Sequence, residues 1–299
     1  MITESIHEAY RDLDAWPAAK ILAAVNDANR RAIDAVAEAL PDLDRAAIGI
    51  EERLRSGGRL FYVGAGTSGR VAVQDAAELP PTFGFERARV LLAGGQAAQD
   101  RAKEGAEDDV VAAAAVVDEA GVGRQDALVG IAASGVTPYT IAAVRRATER
   151  GAFTVGIANN PDTPLLTVGE VGILLATGPE VLAGSTRLAA GTAQKAALNA
   201  LSTAVLVRLG GAYGNLMVGM RPVNAKLEKR AAAIVAEAAE VPLDAAAEVL
   251  ARADDDIRTA IVMARTGVDA DQAREAVRQH GGRVRDALRE FEQGRARQN

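Results

Sequence analysis

RLFYV (59–63) runs directly into GAGTSG (64–69) and then into RVAVQDAAEL (70–79). The first run is short, aromatic and β-branched, and reads as a strand. The glycine-rich loop follows, and the Ala- and Val-rich stretch after it reads as a helix, which Pro80 and Pro81 are expected to stop. The same order recurs downstream. ARVLLAG (88–94) reads as a second strand, with a helical stretch from about Gln96 to Ala120. ALVGIA (127–132) is a third, followed by the loop ASGVTP (133–138) and a helix from about Tyr139 to Arg150. FTVGIAN (153–159) and VGILLAT (171–177) are further strands, and a long helix covers about Thr186 to Leu209. Strands alternating with helices predict an α/β fold: a parallel sheet covered by helices on both faces.

Outward from this core the chain divides into three parts. Residues 1–50 form an N-terminal helical segment, with Ile21, Leu22, Val25, Ile33, Val36 and Leu40 at helical spacing. Residues 51–215 form the sheet domain. Residues 216–299 form a small C-terminal helical module, with patterns near 243–252, 256–265, 269–279 and 283–292; Asp244, Asp269 and Gly281–Gly282 serve as caps or breaks.

Composition narrows the function. Aromatic residues make up 3% of the chain, so the core must be built from Ala, Val, Leu and Ile. There is no cysteine, which excludes disulfides and thiolate chemistry. The two histidines, His7 and His280, are far apart, and no zinc site is expected. A net charge of −6 carries no nucleic-acid footprint. The polar, acidic start is no secretory signal, and no apolar run approaches the ~20 residues that span a bilayer. The expectation is a soluble cytoplasmic protein.

GAGTSG matches the dinucleotide pattern G-x-G-x-x-G, but the second strand ends in LLAGGQ, without the acid that holds a ribose. There is no G-K-[ST] of a P-loop. Instead the loop offers Gly66, Thr67 and Ser68, and the later loop offers Ser134, Gly135 and Thr137. Hydroxyls and backbone N–H groups at helix N-termini suit a phosphate dianion. Either loop alone is equally well read as helix capping; the pair favours a small phosphorylated ligand.

GAGTSGR, DAAELPPTFG, EGAEDD, GIAASGVTPY and GSTRLAAGTAQKAALNALSTAVLVRLGGAYGNLMV, with VDADQAREAVRQHGG near the end, resemble in order the signature blocks of the N-acetylmuramic acid 6-phosphate etherases. The resemblance covers roughly residues 57–290 and is most specific from Gly184 to Val218. It implies the sugar-isomerase fold, of the flavodoxin-like three-layer type. It also implies cleavage of the lactyl ether of an amino-sugar phosphate without metal or cofactor, and a homodimer with active sites at the subunit boundary. By the same resemblance Glu78 is the acid that protonates the departing lactate oxygen. Glu107 abstracts the C2 proton or activates water, and which of the two glutamates takes that proton stays open. Leu79, Pro80, Pro81 and Phe83 are expected to desolvate Glu78. Without the resemblance, Glu104, Glu107, Asp108 and Asp109 read as a solvated acidic face.

Ser185 is a further substrate-binding candidate or an N-cap; by the resemblance Asn224 and Lys226 match a family position that reaches substrate, while Lys226 is equally well read as a surface lysine. His280 reads as a helix cap, Asp254–Asp256 as a turn and helix start, and His7 and Trp16 as packing or surface residues. The chain departs from the family pattern at Ala28–Asn29, at His7 and at Leu188–Ala189, which bears on specificity. A non-catalytic sugar-phosphate sensor, a ketose–aldose isomerase and, more remotely, a transcriptional regulator are the alternatives on this fold.

Overall fold

The computed structural model describes residues 1–99, 103–222 and 224–296. Its centre is a five-stranded parallel sheet of β1 (Leu60–Gly64), β2 (Ala88–Leu92), β3 (Ala127–Ala132), β4 (Phe153–Ala158) and β5 (Val171–Leu174), in the spatial order β2-β1-β3-β4-β5. β1, β3 and β4 are buried along their whole length, as unbroken apolar runs require.

Helices cover both faces. They are α1 (Ala18–Glu38), α2 (Leu40–Arg55), α3 (Gly66–Phe83), α4 (Val110–Glu119), α5 (Pro138–Glu149), α6 (Leu165–Val168) and α7 (Ala189–Leu206). A Cβ added at Gly130 of β3 would meet Val144 of α5 at 2.3 Å. On the other face the Phe153 ring fills the place of a side chain at Gly49 of α2, 2.2 Å from where that Cβ would lie. Phe153 is paired with Ala127, and residues 127 and 130 point to opposite sides of the strand, so α2 and α5 sandwich the sheet.

The chain packs as two compact units. The first comprises Met1–Ala76 and Arg87–Thr203 and contains the sheet. The second comprises Ala77–Glu86 and the chain from Ala204 onward. It contains the hairpin β6 (Ala212–Tyr213) and β7 (Leu216–Met217), then α8 (Ala225–Ala239), α9 (Leu243–Arg252), α10 (Ile257–Thr266), α11 (Ala270–Gln279) and α12 (Val284–Ala296). Val235, Leu250, Ile257, Ile261, Val277 and Leu288 form part of its own core. The four C-terminal helices fall where the sequence places them, and Asp256, Asp269 and His280 sit at helix ends as caps. Asp244 is not a cap: Pro242 holds that position, and Asp244 lies in the first turn of α9. α8 has no counterpart in the sequence reading.

Three helix boundaries differ from expectation. α3 continues through Pro80 and Pro81 to Phe83. Two prolines near a helix end forfeit only two hydrogen bonds while keeping a helical φ, and the Gly84 N–H closes the last turn on the Pro80 carbonyl at 2.9 Å. The stretch expected to be helical from Gln96 to Ala120 is instead two short 3₁₀ turns, Gln96–Ala98 and Ala106–Asp108, before α4; residues 100–102 lie outside the described residues. Gly94, Gly95 and Gly105 adopt positive φ there, and Asp109 starts α4 by accepting from the Ala112 N–H at 2.8 Å. α7 begins at Ala189 rather than Thr186. On α1 the buried face is Ala28, Ala32, Ala35 and Val36, while Leu22 and Ile33 are exposed.

The entry ends of β1 and β3 are clamped by one ion pair. Asp126 accepts from the Arg59 backbone N–H (2.9 Å), from Arg59 Nε (3.1 Å) and Nη2 (2.8 Å), and from the Gly123 N–H (3.0 Å). The Arg59 fork also donates to the Ala120 and Gly121 carbonyls. Burial opposes the Asp126 charge, but the Arg59 and backbone hydrogen bonds outweigh it and hold the carboxyl below its ordinary value of 3.8. A depressed folded pKa stabilises the fold above the unfolded value and loses that contribution as pH falls through the folded value. Asp126→Asn is therefore expected to destabilise most at neutral pH, with the difference from the parent shrinking below about pH 4 and vanishing in stronger acid. Urea unfolding across pH checks this; a pH-independent difference would refute the assignment.

Candidate active site

The sheet reverses its winding at β1, which has β2 on one side and β3 on the other. In open α/β sheets the crevice outside the carboxyl ends of the strands at such a switch point is where ligands bind. Gly64, the last residue of β1, is paired with both Leu92 of β2 and Ile131 of β3. The GAGTSG loop and the ASGVTP loop therefore leave the sheet side by side. The connection that carries Glu107 leaves from β2, on the other flank of β1.

The first loop is shaped by close approach. A Cβ at Gly69 would lie 2.3 Å from Leu92 Cδ1 and 2.9 Å from the Gly64 carbonyl oxygen, so only glycine lets α3 start this near the sheet. Gly66 has φ 52° and is exposed, Thr67 is half-buried and Ser68 is buried. The first turn of α7 lies against this loop: a Cβ at Gly191 would stand 3.4 Å from Thr67 Cγ2.

The second loop leaves its helix start without a side-chain cap. Thr137 is the N-cap residue of α5, yet its side chain makes no capping bond to the helix. Its hydroxyl sits 3.3 Å from Ser134 Oγ, which accepts from the Val136 N–H at 3.2 Å. The first turn of α5 thus keeps its donors and its positive dipole end without a side-chain cap, beside two hydroxyls. Gly135 has φ 72°, and a Cβ there would meet Thr163 Oγ1 at 2.1 Å.

The N-terminus of α7 is arranged differently. Glu180 is 1% exposed, and its two carboxylate oxygens accept from the Ala189 and Ala190 N–H groups, each at 2.9 Å. Burial pushes the Glu180 carboxyl above its ordinary value, against the opposing effect of those two bonds. A resident carboxylate has thus taken the Ala189 and Ala190 donors of this helix. Ser185 does not cap α7; it lies in the preceding turn, where its carbonyl accepts from the Leu188 N–H at 3.1 Å.

Behind the first loop a second buried carboxylate anchors α3. Asp75 accepts from Tyr62 Oη (2.8 Å), Asn199 Nδ2 (2.7 Å) and Ser202 Oγ (3.2 Å). Burial, and then the neighbouring Asp75, push the Tyr62 phenol well above its ordinary value, so Tyr62 remains the donor. Neither Glu180 nor Asp75 was singled out from sequence. The GPE run at 178–180 that follows β5 carries no motif that marks its carboxylate as a helix cap.

The two expected catalytic carboxylates lie in different units. Glu78 is on α3, within the second unit, and is exposed. Leu79 is buried, but Pro80 and Pro81 are exposed, so the apolar enclosure expected around Glu78 is not provided by these neighbours. Glu107 is exposed in its 3₁₀ turn in the first unit. Asn224 and Lys226 belong to the second unit; Asn224 Oδ1 caps α8 by accepting from the Leu227 N–H at 3.0 Å, and Lys226 is exposed.

This sheet order, with its paired glycine–hydroxyl loops at the switch point, is that of the sugar-isomerase (SIS) fold. Residues 108–204 match the SIS domain family, and residues 45–148 match the glucokinase regulatory protein N-terminal SIS domain. A solved protein of Escherichia coli CFT073 superposes with a TM-score of 0.50 at 14% identity, covering 67% of this chain and 97% of its own. A Bacteroides fragilis protein assigned as a phosphosugar isomerase of capsule formation gives 0.50 at 20% identity, covering 65% and 94%. Likeness in sequence extends much further. The chain is 48% identical to the N-acetylmuramic acid 6-phosphate etherase of Deinococcus radiodurans, over 97% of this chain and 96% of that one. It is 44% identical to that of Yersinia pestis strain Pestoides F, over 96% and 98%. The chain belongs to the N-acetylmuramic acid 6-phosphate etherase family.

Gly135→Ala is expected to weaken sugar-phosphate binding at least ~10-fold, because the new Cβ must displace Thr163 and strain a positive φ. Calorimetric titration with N-acetylglucosamine 6-phosphate measures it, and unchanged affinity would remove this loop from the site.

Proposed function

We propose that this chain is an etherase that cleaves the lactyl ether of N-acetylmuramic acid 6-phosphate, giving N-acetylglucosamine 6-phosphate and D-lactate. The observation that carries this reading is the 48% identity to an etherase over nearly the whole chain. The match to a regulatory-protein family covers only residues 45–148. The switch-point loops support a phosphorylated ligand: Gly66, Thr67, Ser68, Ser134, Gly135 and Thr137 offer hydroxyls and backbone donors, with Ser185 close behind, and the uncapped start of α5 favours a dianion.

The chemistry follows from the substrate. Ring opening exposes an aldehyde at C1, which acidifies the proton on C2. A base removes that proton, the C3–oxygen bond breaks, and the departing lactate oxygen takes a proton from a general acid. Water then adds at C3 of the unsaturated intermediate and returns a proton to C2. The acid and the base each contribute ~10²–10⁴-fold. In this reading Glu78 is the acid, Glu107 serves the C2 proton or the water, and Asn224 and Lys226 touch the substrate.

The same reading makes the protein a cytoplasmic homodimer of peptidoglycan recycling, with its active sites completed at the subunit boundary. No helix among the described residues is long and apolar enough to cross a membrane. Leu22 (69% exposed) and Ile33 (50% exposed) stand on one face of α1, three turns apart, an apolar surface suited to a second copy. Sedimentation is expected to give a dimer that Leu22→Lys with Ile33→Lys dissociates; a wild-type monomer retaining full turnover would overturn the assembly.

Activity is tested by D-lactate release from N-acetylmuramic acid 6-phosphate. Glu78→Gln is expected to lower kcat by at least ~10²-fold while N-acetylglucosamine 6-phosphate still binds. Tight binding without any lactate from the wild type would convert the reading to a sensor.

A further inference from the structure

Residues near the N-terminus are tied into the connections that follow β3 and β4. Thr3 is completely buried, although residues on either side of it are exposed. It is held by the side chain of Asn160, in the connection after β4. The Thr3 N–H donates to Asn160 Oδ1 at 3.2 Å, and Asn160 Nδ2 donates to Thr3 Oγ1 at 2.9 Å. The carboxamide thus reads both a backbone and a side-chain group of one residue 157 positions away.

What Asn160 and Thr3 touch next gives this contact its meaning. Asn160 Nδ2 also donates to the Ala133 carbonyl at 2.9 Å, the residue immediately before Ser134. The Asn160 carbonyl accepts from Thr163 Oγ1 at 3.2 Å, and Thr163 is the side chain against which Gly135 packs. The Leu165 N–H in turn donates to the Gly135 carbonyl at 3.1 Å. On the other side the Thr3 carbonyl accepts from the Gly184 N–H at 3.1 Å, the residue immediately before Ser185. One continuous chain of hydrogen bonds therefore runs from the Ser134–Thr137 loop through Asn160 and Thr3 to the turn that carries Ser185.

We propose that Thr3 and Asn160 are positioning residues for substrate binding: the N-terminal segment is a latch that fixes the separation of the Ser134–Thr137 loop from Ser185. The inference rests on the reading of those loops as the sugar-phosphate site. The latch touches neither glutamate, so it governs ground-state binding and leaves proton transfer alone. Uniform loss of binding raises KM without lowering kcat.

The test compares wild type, Thr3→Val, Thr3→Ser and Asn160→Asp in the full-length protein. Thr3→Val keeps the shape and removes the hydroxyl acceptor. Asn160→Asp is isosteric and replaces the Nδ2 donor by an oxygen facing the Ala133 carbonyl. Thr3→Val is expected to raise KM and weaken N-acetylglucosamine 6-phosphate binding by roughly 3- to 10-fold, and Asn160→Asp by more than about 10-fold. In both, kcat and its pH profile should stay within about twofold, and Thr3→Ser should restore wild-type affinity. Unchanged affinity in folded Asn160→Asp, or a fall in kcat at constant KM, would overturn the latch. Failure of the wild type to bind the product or release lactate would instead overturn the functional reading. Should Asn160→Asp not fold, judged by circular dichroism, the Thr3→Val and Thr3→Ser pair decides by the same criteria.

Discussion

β1 is hydrogen-bonded to β2 on one edge and to β3 on the other, and this double pairing is the constraint from which the site follows. It brings two glycine loops out of adjacent strands at the one place where the sheet changes direction. The Arg59–Asp126 clamp secures the opposite end of the same strand pair. Because Arg59 is 40% exposed, its worth lies less in energy than in register. Its fork binds the carboxylate and two loop carbonyls at once, which fixes how β3 enters beside β1. A parallel strand that slipped by one residue would exchange the side chains packed on its two buried faces. It would also separate Gly64 from Ile131 and with it the two loops.

Two long helices that begin near these loops meet their unsatisfied N–H groups in opposite ways. α7 is closed from within by the buried Glu180 carboxylate. α5 starts at a threonine that makes no cap, followed by a proline that has no N–H to satisfy. An N-cap side chain is worth about 1 kcal/mol, and α5, like α1, α2 and α9, starts without one. Leaving α5 uncapped gives up that contribution where an anion can supply it. Filling α7 with a carboxylate directs the phosphate away from it, because two anions on one helix end repel. The difference between the two helix starts is what favours Ser134–Thr137 as the phosphate end in the proposed function.

The strands were legible because parallel strands buried on both faces leave unbroken apolar runs: four of the five lie within the segments read as strands, and β1 runs one residue further, into Gly64. The C-terminal helices were legible through the Asp256 and Asp269 caps and the Gly281–Gly282 break, whereas Asp244 marked α9 without capping it. Legibility failed where local signals conflict with context. Pro80 and Pro81 look like a stop, yet the helix end tolerates them. Ala- and Glu-rich sequence after β2 looks helical, yet Gly94, Gly95 and Gly105 each take a left-handed turn. At the site, glycine and hydroxyl loops announce themselves by composition. Thr3, Asn160, Asp75 and Glu180 do not, because each acts through a partner distant in sequence that no spacing rule connects to it.

Proton transfer to a poor leaving group gains from a site that excludes water. The Ser134–Thr137 loop and its latch are already ordered by hydrogen bonds within one unit, whereas Glu78 and Glu107 stand exposed on the chain's own surface. On the proposed reading, the loop that takes the phosphate is ordered before substrate arrives, while the two glutamates face solvent. On the proposed chemistry, exclusion of water is a property of the assembled and loaded enzyme. Binding energy gathered at the phosphate, remote from the breaking C3–oxygen bond, is in this scheme what holds the substrate while its reacting end is desolvated.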